Sequence, residues 1–181
     1  YDVSMPDTNA TALLTLAPLH GVTGRIVRAA WFRAFGGFDA AMAPFILAVP
    51  RASSRKGHFK DLVPPDALGV PLIPQLLGND AESFLSTARA LRDADFNLIN
   101  WNLGCPYPMV AKKFRGSGLL PFPERIDAVL DGVCRDGLFA REGMRVSVKL
   151  RLGRADPKEI LALMPVLNRY PLESVIVHPR V

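Results

Sequence analysis

Asn100-Trp101-Asn102-Leu103-Gly104-Cys105-Pro106-Tyr107-Pro108 follows directly on the run Phe96 to Ile99, and together they read as a buried strand with an abrupt end. Residues two apart on a strand point to the same side, so Asn100 and Asn102 share a face. Gly104 lets the backbone turn without a Cβ in the way, and Pro106 and Pro108 stiffen the chain just beyond the turn. One thiol, Cys105, is thereby set at a rigid strand tip, beside carboxamides that can read a polar ring.

Outward from this tip, strands and helices alternate. Tyr1 to Ala10 is polar and aperiodic and reads as a leader or loop. Thr11 to Leu16 is a first strand, with Ala17-Pro18-Leu19-His20-Gly21-Val22 as its exit loop. Thr23 is placed to cap a helix through about Phe35, with Ile26, Val27, Ala30, Trp31 and Ala34 on one face. Gly36-Gly37 ends that helix, and Phe38 to Leu47 is a second strand. Val49 to Val70 is irregular and carries Arg51, Arg55, Lys56, His58 and Lys60, either a solvated basic loop or a lip that contacts phosphate. A third strand, Val70 to Leu77, holds Gln75 within an apolar run. Asn79 and Glu82 then have capping-box spacing for a helix with the stripe Ala81, Phe84, Leu85, Ala88 and Leu91.

Beyond the thiol, Lys112, Lys113 and Arg115 lead into Gly116-Ser117-Gly118. Pro123 suits the first turn of a helix whose stripe is Ile126, Val129, Leu130 and Val133, and Cys134 beside it reads as packing. In a fifth strand, Arg145 to Leu152, Val146, Val148, Leu150 and Leu152 alternate with Ser147, Lys149 and Arg151. A helix from about Pro157 to Leu167 comes next, kinked or ended by Pro165. A sixth strand, Ser174 to Val181, carries Ile176, His178 and Arg180 on one side.

Connections too long for hairpins make this a parallel α/β sheet. Parallel barrels place their active sites at the carboxyl ends of the strands. His20, Gln75, Asn102, Cys105, Lys149, Arg151 and His178 all fall at or near such ends, on several different strands. Packing alone would scatter polar groups along strands and helices alike.

With 181 residues, 49% hydrophobic and 22% charged, the chain is globular and long enough for a real core. No apolar run reaches the length of a membrane helix, and no basic stretch followed by an apolar one precedes the fold. A signal peptide is read as absent or removed. The formal charge of +5 permits a polyanionic partner without demanding one. Two cysteines without C-x-x-C spacing leave no structural zinc and point to a reduced, intracellular protein, for which the cytoplasm is the expected location.

A cationic Lys149 inside an apolar barrel needs an anion or an electron-rich ring, such as the N1–C2=O edge of a reduced flavin. Gln75, Lys149 and His178 are suited to such an edge. A free thiol, with an ordinary pKa of about 8.5, is mostly protonated at neutral pH and serves as a general acid without activation.

Five segments, "APLHGVTGRIVRAAW", "PLIPQLLGND", "INWNLGCPYPMVAKKFRGSGLL", "VSVKLRLG" and "VIVHPR", resemble in the same order the motifs of the tRNA-dihydrouridine synthases. The likeness runs from Leu13 to Arg180, and its most specific part is the asparagine-x-glycine-cysteine-proline core. It implies a TIM (β/α)8 barrel of which about six β/α units lie in residues 1–181, with the last strands and a carboxyl-terminal helical tRNA-binding domain outside the sequence. It also implies an FMN enzyme that reduces uridine in tRNA to 5,6-dihydrouridine with NADPH. Cys105 would protonate C5 of the uracil while reduced FMN delivers hydride to C6. Ala17, Pro18, Gln75, Lys149 and His178 would contact FMN, and Asn102 and Arg151 the substrate side. No metal is implied. The target base would have to leave its stack. Family members commonly carry aspartate at the position of Asn100 and leucine at that of Trp101. Two other readings compete: another FMN barrel acting on a small unsaturated ring, as dihydroorotate dehydrogenases do, or a non-catalytic binding module.

Overall fold

The computed structural model describes residues 13–52, 57–62, 69–139 and 143–181. The long strand ending at the thiol is β6, Leu98–Leu103, and it lies in mid-sheet, buried from Ile99 onward. Around it run β1 (Thr15–Leu16), α1 (Arg25–Ala34), β2 (Ala40–Met42), β3 (Ile46–Leu47), β4 (Leu72–Ile73), β5 (Gln75–Leu77) and α2 (Ala81–Arg92) before it. After it come α3 (Pro108–Ala111), α4 (Pro123–Arg135), β7 (Arg145–Arg151), α5 (Glu159–Leu167) and β8 (Val175–His178). Every strand pairing is parallel, in the orders β1-β2-β4 and β3-β5-β6-β7-β8. The fold is thus α/β with parallel sheets, as the alternation predicts. Among the described strands β1 and β8 do not pair, so these strands form no closed barrel.

The second and third predicted strands are each split in two. Proline supplies no N–H to a ladder. Pro44 and Pro74 accordingly fall in the gaps between β2 and β3 and between β4 and β5. Pairing nevertheless resumes across the gaps. Ala41 N and Ala43 N donate to Pro71 O and Ile73 O, and Ala48 N donates to Leu77 O, each at 2.9 Å.

The core lies between this sheet and the helices after β5 and β6. Phe84, Leu85, Ala88 and Leu91 of α2, with Ile126, Val129, Leu130 and Val133 of α4, are buried as their spacing predicts. Pro123 occupies the first turn of α4. Trp101 is fully buried; its Nε1 donates to Gly78 O at 3.1 Å and its ring meets Phe84 edge-on. The cap of α2 is one residue later than predicted: Asp80, not Asn79, accepts from Ser83 N at 2.8 Å. Pro165 sits inside α5 without ending it, and the helix starts at Glu159 rather than near Pro157.

The first helix departs most from the sequence reading. Its only buried residue is Arg28, while Ile26, Val27 and Trp31, with Phe35 just beyond it, face outward, Ile26 at 80% exposure. Thr23 does not cap α1; its hydroxyl closes the preceding turn on Leu19 N and O. Asp61 does that work instead, accepting from Arg25 N at 2.6 Å and pairing with Arg28 Nη1 at 2.9 Å. Arg28 also bonds Thr23 O and Asp61 O, so its terminal nitrogens are matched in the interior, while its buried Nε has no partner among the described residues. The loop between β3 and β4 is therefore anchored: Phe59 and Leu62 are buried beside exposed Arg51 and Lys60. Arg55 and Lys56 lie outside the described residues, as does the segment 1–12.

Urea unfolding separates these placements. Leu91→Ala should cost about 2–5 kcal/mol as a buried large-to-small change. Ile26→Ala should stay within about 0.5 kcal/mol as a surface change. Equal losses would contradict the outward orientation of α1.

Candidate active site

The register places the polar residues in rows across the sheet. Gln75 pairs with Asn100 and Asn100 with Ser147; Asn102 pairs with Lys149; Arg151 pairs with His178. Side chains in one row are within bonding reach. Gln75 Nε2 donates to Asn100 Oδ1 at 2.8 Å and lies 3.4 Å from Met42 Sδ. Asn100 Nδ2 donates to Ser147 Oγ at 2.9 Å, and that hydroxyl donates to Ile99 O. Asn102 Nδ2 donates to Gln75 Oε1 at 2.7 Å. All four polar residues are buried. A neutral Asn100 fits here, because it supplies the donor that Ser147 accepts and brings no charge into the core. An aspartate would supply only acceptors.

The row ends at the thiol. Asn102 Oδ1 accepts from Gly104 N at 3.0 Å and Cys105 N at 2.9 Å. Arg151 Nε donates to Gly104 O at 2.9 Å, and its Nη1 donates to Val181 O at 2.7 Å. Ser117 N donates to Cys105 O at 3.0 Å. Gly116 lies so close that a Cβ there would stand 2.6 Å from Cys105 O and 3.0 Å from Cys105 Cβ, and its φ of +56° also favours glycine. The Gly-Ser-Gly segment is therefore a brace for the thiol turn.

The loop between α3 and that brace is fixed from two sides. Asn79 donates to Lys113 O at 3.2 Å and faces Arg115 Nε at 3.4 Å. Phe114 holds a φ of +52°, uncommon for a bulky residue, with the Arg125 guanidinium 4.3 Å above its ring. This carries Lys113 and Arg115 to the rim of a cavity of about 600 Å³ on which Cys105 also opens. His20 and Phe45 form another wall, stacked at 4.6 Å with 9° between their planes.

On the strand face, Lys149 is half-buried and makes no side-chain hydrogen bond or ion pair among the described residues. Burial, and secondarily Arg151, lower its pKa below the usual lysine value. His178 is held low by burial and then by Lys149, Arg151 and Arg180, a cluster of cations with no carboxylate among those causes. Unpaired positive charge at two adjacent strand ends suits an anion or an electron-rich ring. Among the described residues no three His, Cys, Asp or Glu side chains form a metal-sized group.

The structure thus joins Gln75, Asn102, Cys105 and Arg151 by hydrogen bonds and sets Lys149 and His178 in the same rows. Ala17, exposed, and Pro18, half-buried, follow β1 at the far end of the strand order. Of the other residues singled out from sequence, His20 lines the cavity beside Cys105, and Ala17, Pro18, Gln75, Asn102, Lys149, Arg151 and His178 do not. Sequence reading placed His20 at a strand end but missed its stack on Phe45, and it missed Ser147 and Gly116 as parts of the site. Ser147 is two residues before Lys149 on the same strand, so its face was readable, whereas the stack joins loops that no local period connects. Cys134 is half-buried on α4, and burial raises its pKa first, as befits a packing residue. Both cysteines are free thiols. No described helix is long and apolar enough to cross a membrane.

His178 gives a pH test. Its folded pKa lies below the ordinary histidine value of 6.5, so the unfolded chain binds more protons between the two values and stability must rise with pH there. Acidification from 6.5 downward should therefore destabilise the wild type more than His178→Gln in thermal melts. Parallel pH profiles would contradict the placement of His178 among cations.

The model of the family described as dihydrouridine synthase matches residues 15–181. The chain is 28% identical over 174 residues to the tRNA-dihydrouridine(16) synthase of Ralstonia nicotianae, covering 92% of the chain and 52% of that protein. It is 30% identical over 173 residues to the synthase of the same name from Pseudomonas putida, with 92% and 52% covered. The corresponding protein of Neisseria meningitidis serogroup B is 32% identical over 173 residues, with 92% and 50% covered. The chain spans about half the length of the relatives it matches.

Proposed function

Because the chain belongs to the dihydrouridine synthase family, we propose that it carries the reaction centre of an enzyme that reduces uridines of tRNA to 5,6-dihydrouridine, with FMN as cofactor and NADPH as reductant. The fold that goes with this reading is the amino-terminal part of a TIM barrel, residues 1–181 supplying about six β/α units. The remaining strands and a helical tRNA-binding domain would lie outside these residues. A cytoplasmic location goes with the substrate.

The observation that carries the reading is a free thiol, rigidly held at the carboxyl end of β6 and opening on a ring-sized cavity, with the Lys149 ammonium, unpaired among the described residues, on the face of the neighbouring strand. That face fits a flavin. The half-buried Lys149 ammonium would meet the electron-rich N1–C2=O edge, and His178, kept neutral by its surroundings, offers both a donor and an acceptor. Ala17 and Pro18 would present backbone to the cofactor. Gln75 would have to exchange one of its present bonds to Met42, Asn100 or Asn102 in order to face it. When bound and reduced, FMN supplies the hydride that adds to C6 of the uracil.

The chain's own residues do the rest. Cys105 Sγ gives its proton to C5, so that hydride and proton together saturate the C5–C6 bond. Asn102 Nδ2 donates one hydrogen to Gln75 and keeps the other for the ring. His20 and Phe45 offer a flat apolar wall to a base drawn out of its stack. Lys113 and Arg115 at the rim are placed for the adjoining phosphates.

The test is complementation. In a strain without its own synthases, this gene should restore dihydrouridine in tRNA, assayed first at position 16, the number in the relatives' names. Cys105→Ala should lower the rate at least about 100-fold, the lower range for loss of a general acid. Full restoration by Cys105→Ala would contradict the proton-donor role, and no dihydrouridine from the wild type would contradict the activity.

A further inference from the structure

We propose that Arg151 is a positioning residue for Cys105, acting through the Gly104 carbonyl and not by touching substrate. The inference rests on the reading of Cys105 as the reacting thiol. A cysteine side chain leaves the backbone in a direction fixed by the two peptide planes that flank its Cα, because each plane is rigid and only φ and ψ lie between them. The plane before Cys105 consists of Gly104 C=O and Cys105 N–H. Its N–H end is held by Asn102 Oδ1 at 2.9 Å, and its C=O end by Arg151 Nε at 2.9 Å. The plane after Cys105 is held at its carbonyl by Ser117 N at 3.0 Å. With both planes held, only the side-chain torsion remains to place Sγ.

These holds are not equivalent. Asn102 belongs to the same strand as the turn, and Ser117 to the loop just after it. Arg151 comes from β7, two residues beyond Lys149, and it also ties the segment after β8 through Val181 O. It thus adds a side-chain link between the thiol turn and β7, beyond the backbone ladder that ends with Leu103 opposite Leu150. A planar guanidinium suits the task, since its Nε–H and Nη1–H bond separate backbone oxygens in fixed relative directions. With both directed at backbone, the side chain is committed to the turn and not to the cavity, which it does not line.

Site-resolved alkylation tests this without requiring uridine reduction. The full-length protein is treated with iodoacetamide, and the rates at Cys105 and Cys134 are read separately by mass spectrometry. Arg151→Ala should speed labelling of Cys105 by about fivefold, the effect of releasing one side-chain hydrogen bond, and leave Cys134 unchanged. Arg151→Lys, which can still reach the carbonyl with one donor, should restore most of the difference. Unchanged labelling at Cys105, with weaker binding of a uridine-containing oligonucleotide, would make Arg151 a substrate contact and overturn the proposal. A parallel rise at both cysteines would overturn it too, as general loosening. Failure of Cys105→Ala to reduce activity would instead refute the reading beneath it, and the alkylation result would stand by itself.

Discussion

The carboxamide oxygen of Asn102 accepts two backbone hydrogen bonds, from Gly104 and Cys105, and the site depends on that contact. It converts the end of a buried strand into a tight turn with the thiol at its tip. The nitrogen of the same group binds Gln75, so the turn is fixed to the neighbouring strand as well as to its own. Asparagine does this because it carries both an acceptor with two lone pairs and donors on one short side chain. A leucine would leave the two N–H groups without that acceptor, and an aspartate would lose the bond to Gln75.

Behind Asn102 a neutral hydrogen-bonded row crosses the sheet through Gln75, Asn100 and Ser147. Burying such groups is tolerable only when they are matched; each one left unmatched costs roughly 1–3 kcal/mol. The row is matched along its length, ending on Met42 Sδ and Ile99 O. This gives the site a stiff polar floor. The Lys149 ammonium and the neutral His178 ring stand beside that floor, each with a pKa lowered first by burial and then by neighbouring cations. A ligand that brings electron density to that corner relieves both penalties at once, which ties binding there to the stability of the strand ends.

Much of this is legible in the chain without its shape. Alternation in Val146 to Arg151 places Lys149 and Arg151 together, and the i, i+2 asparagines of β6 are on the face expected of them. The apolar stripes of α2 and α4 are legible because both helices bury one side against the sheet. The stripe of α1 is equally clear in sequence and gives the opposite result, since among the described residues that side faces outward and the pairing of Arg28 with Asp61 takes the interior. Periodicity reports an apolar face, not what covers it. The splits at Pro44 and Pro74 come from a missing N–H that composition shows, but an apolar run through each proline masks them as single strands. The brace at Gly116 and the His20–Phe45 stack join distant segments, and no local rule reaches them.

Proton transfer from Cys105 to C5 is the step on which the proposed chemistry turns. Single-turnover kinetics tests it most directly, with the flavoprotein reduced beforehand, mixed with tRNA lacking dihydrouridine, and followed by flavin reoxidation. Cys105→Ala should bind tRNA as the wild type does, yet reoxidise its flavin at least about 100-fold more slowly, with the deficit confined to the chemical step. Equal reoxidation rates for the two proteins at saturating tRNA would contradict the proton-donor role.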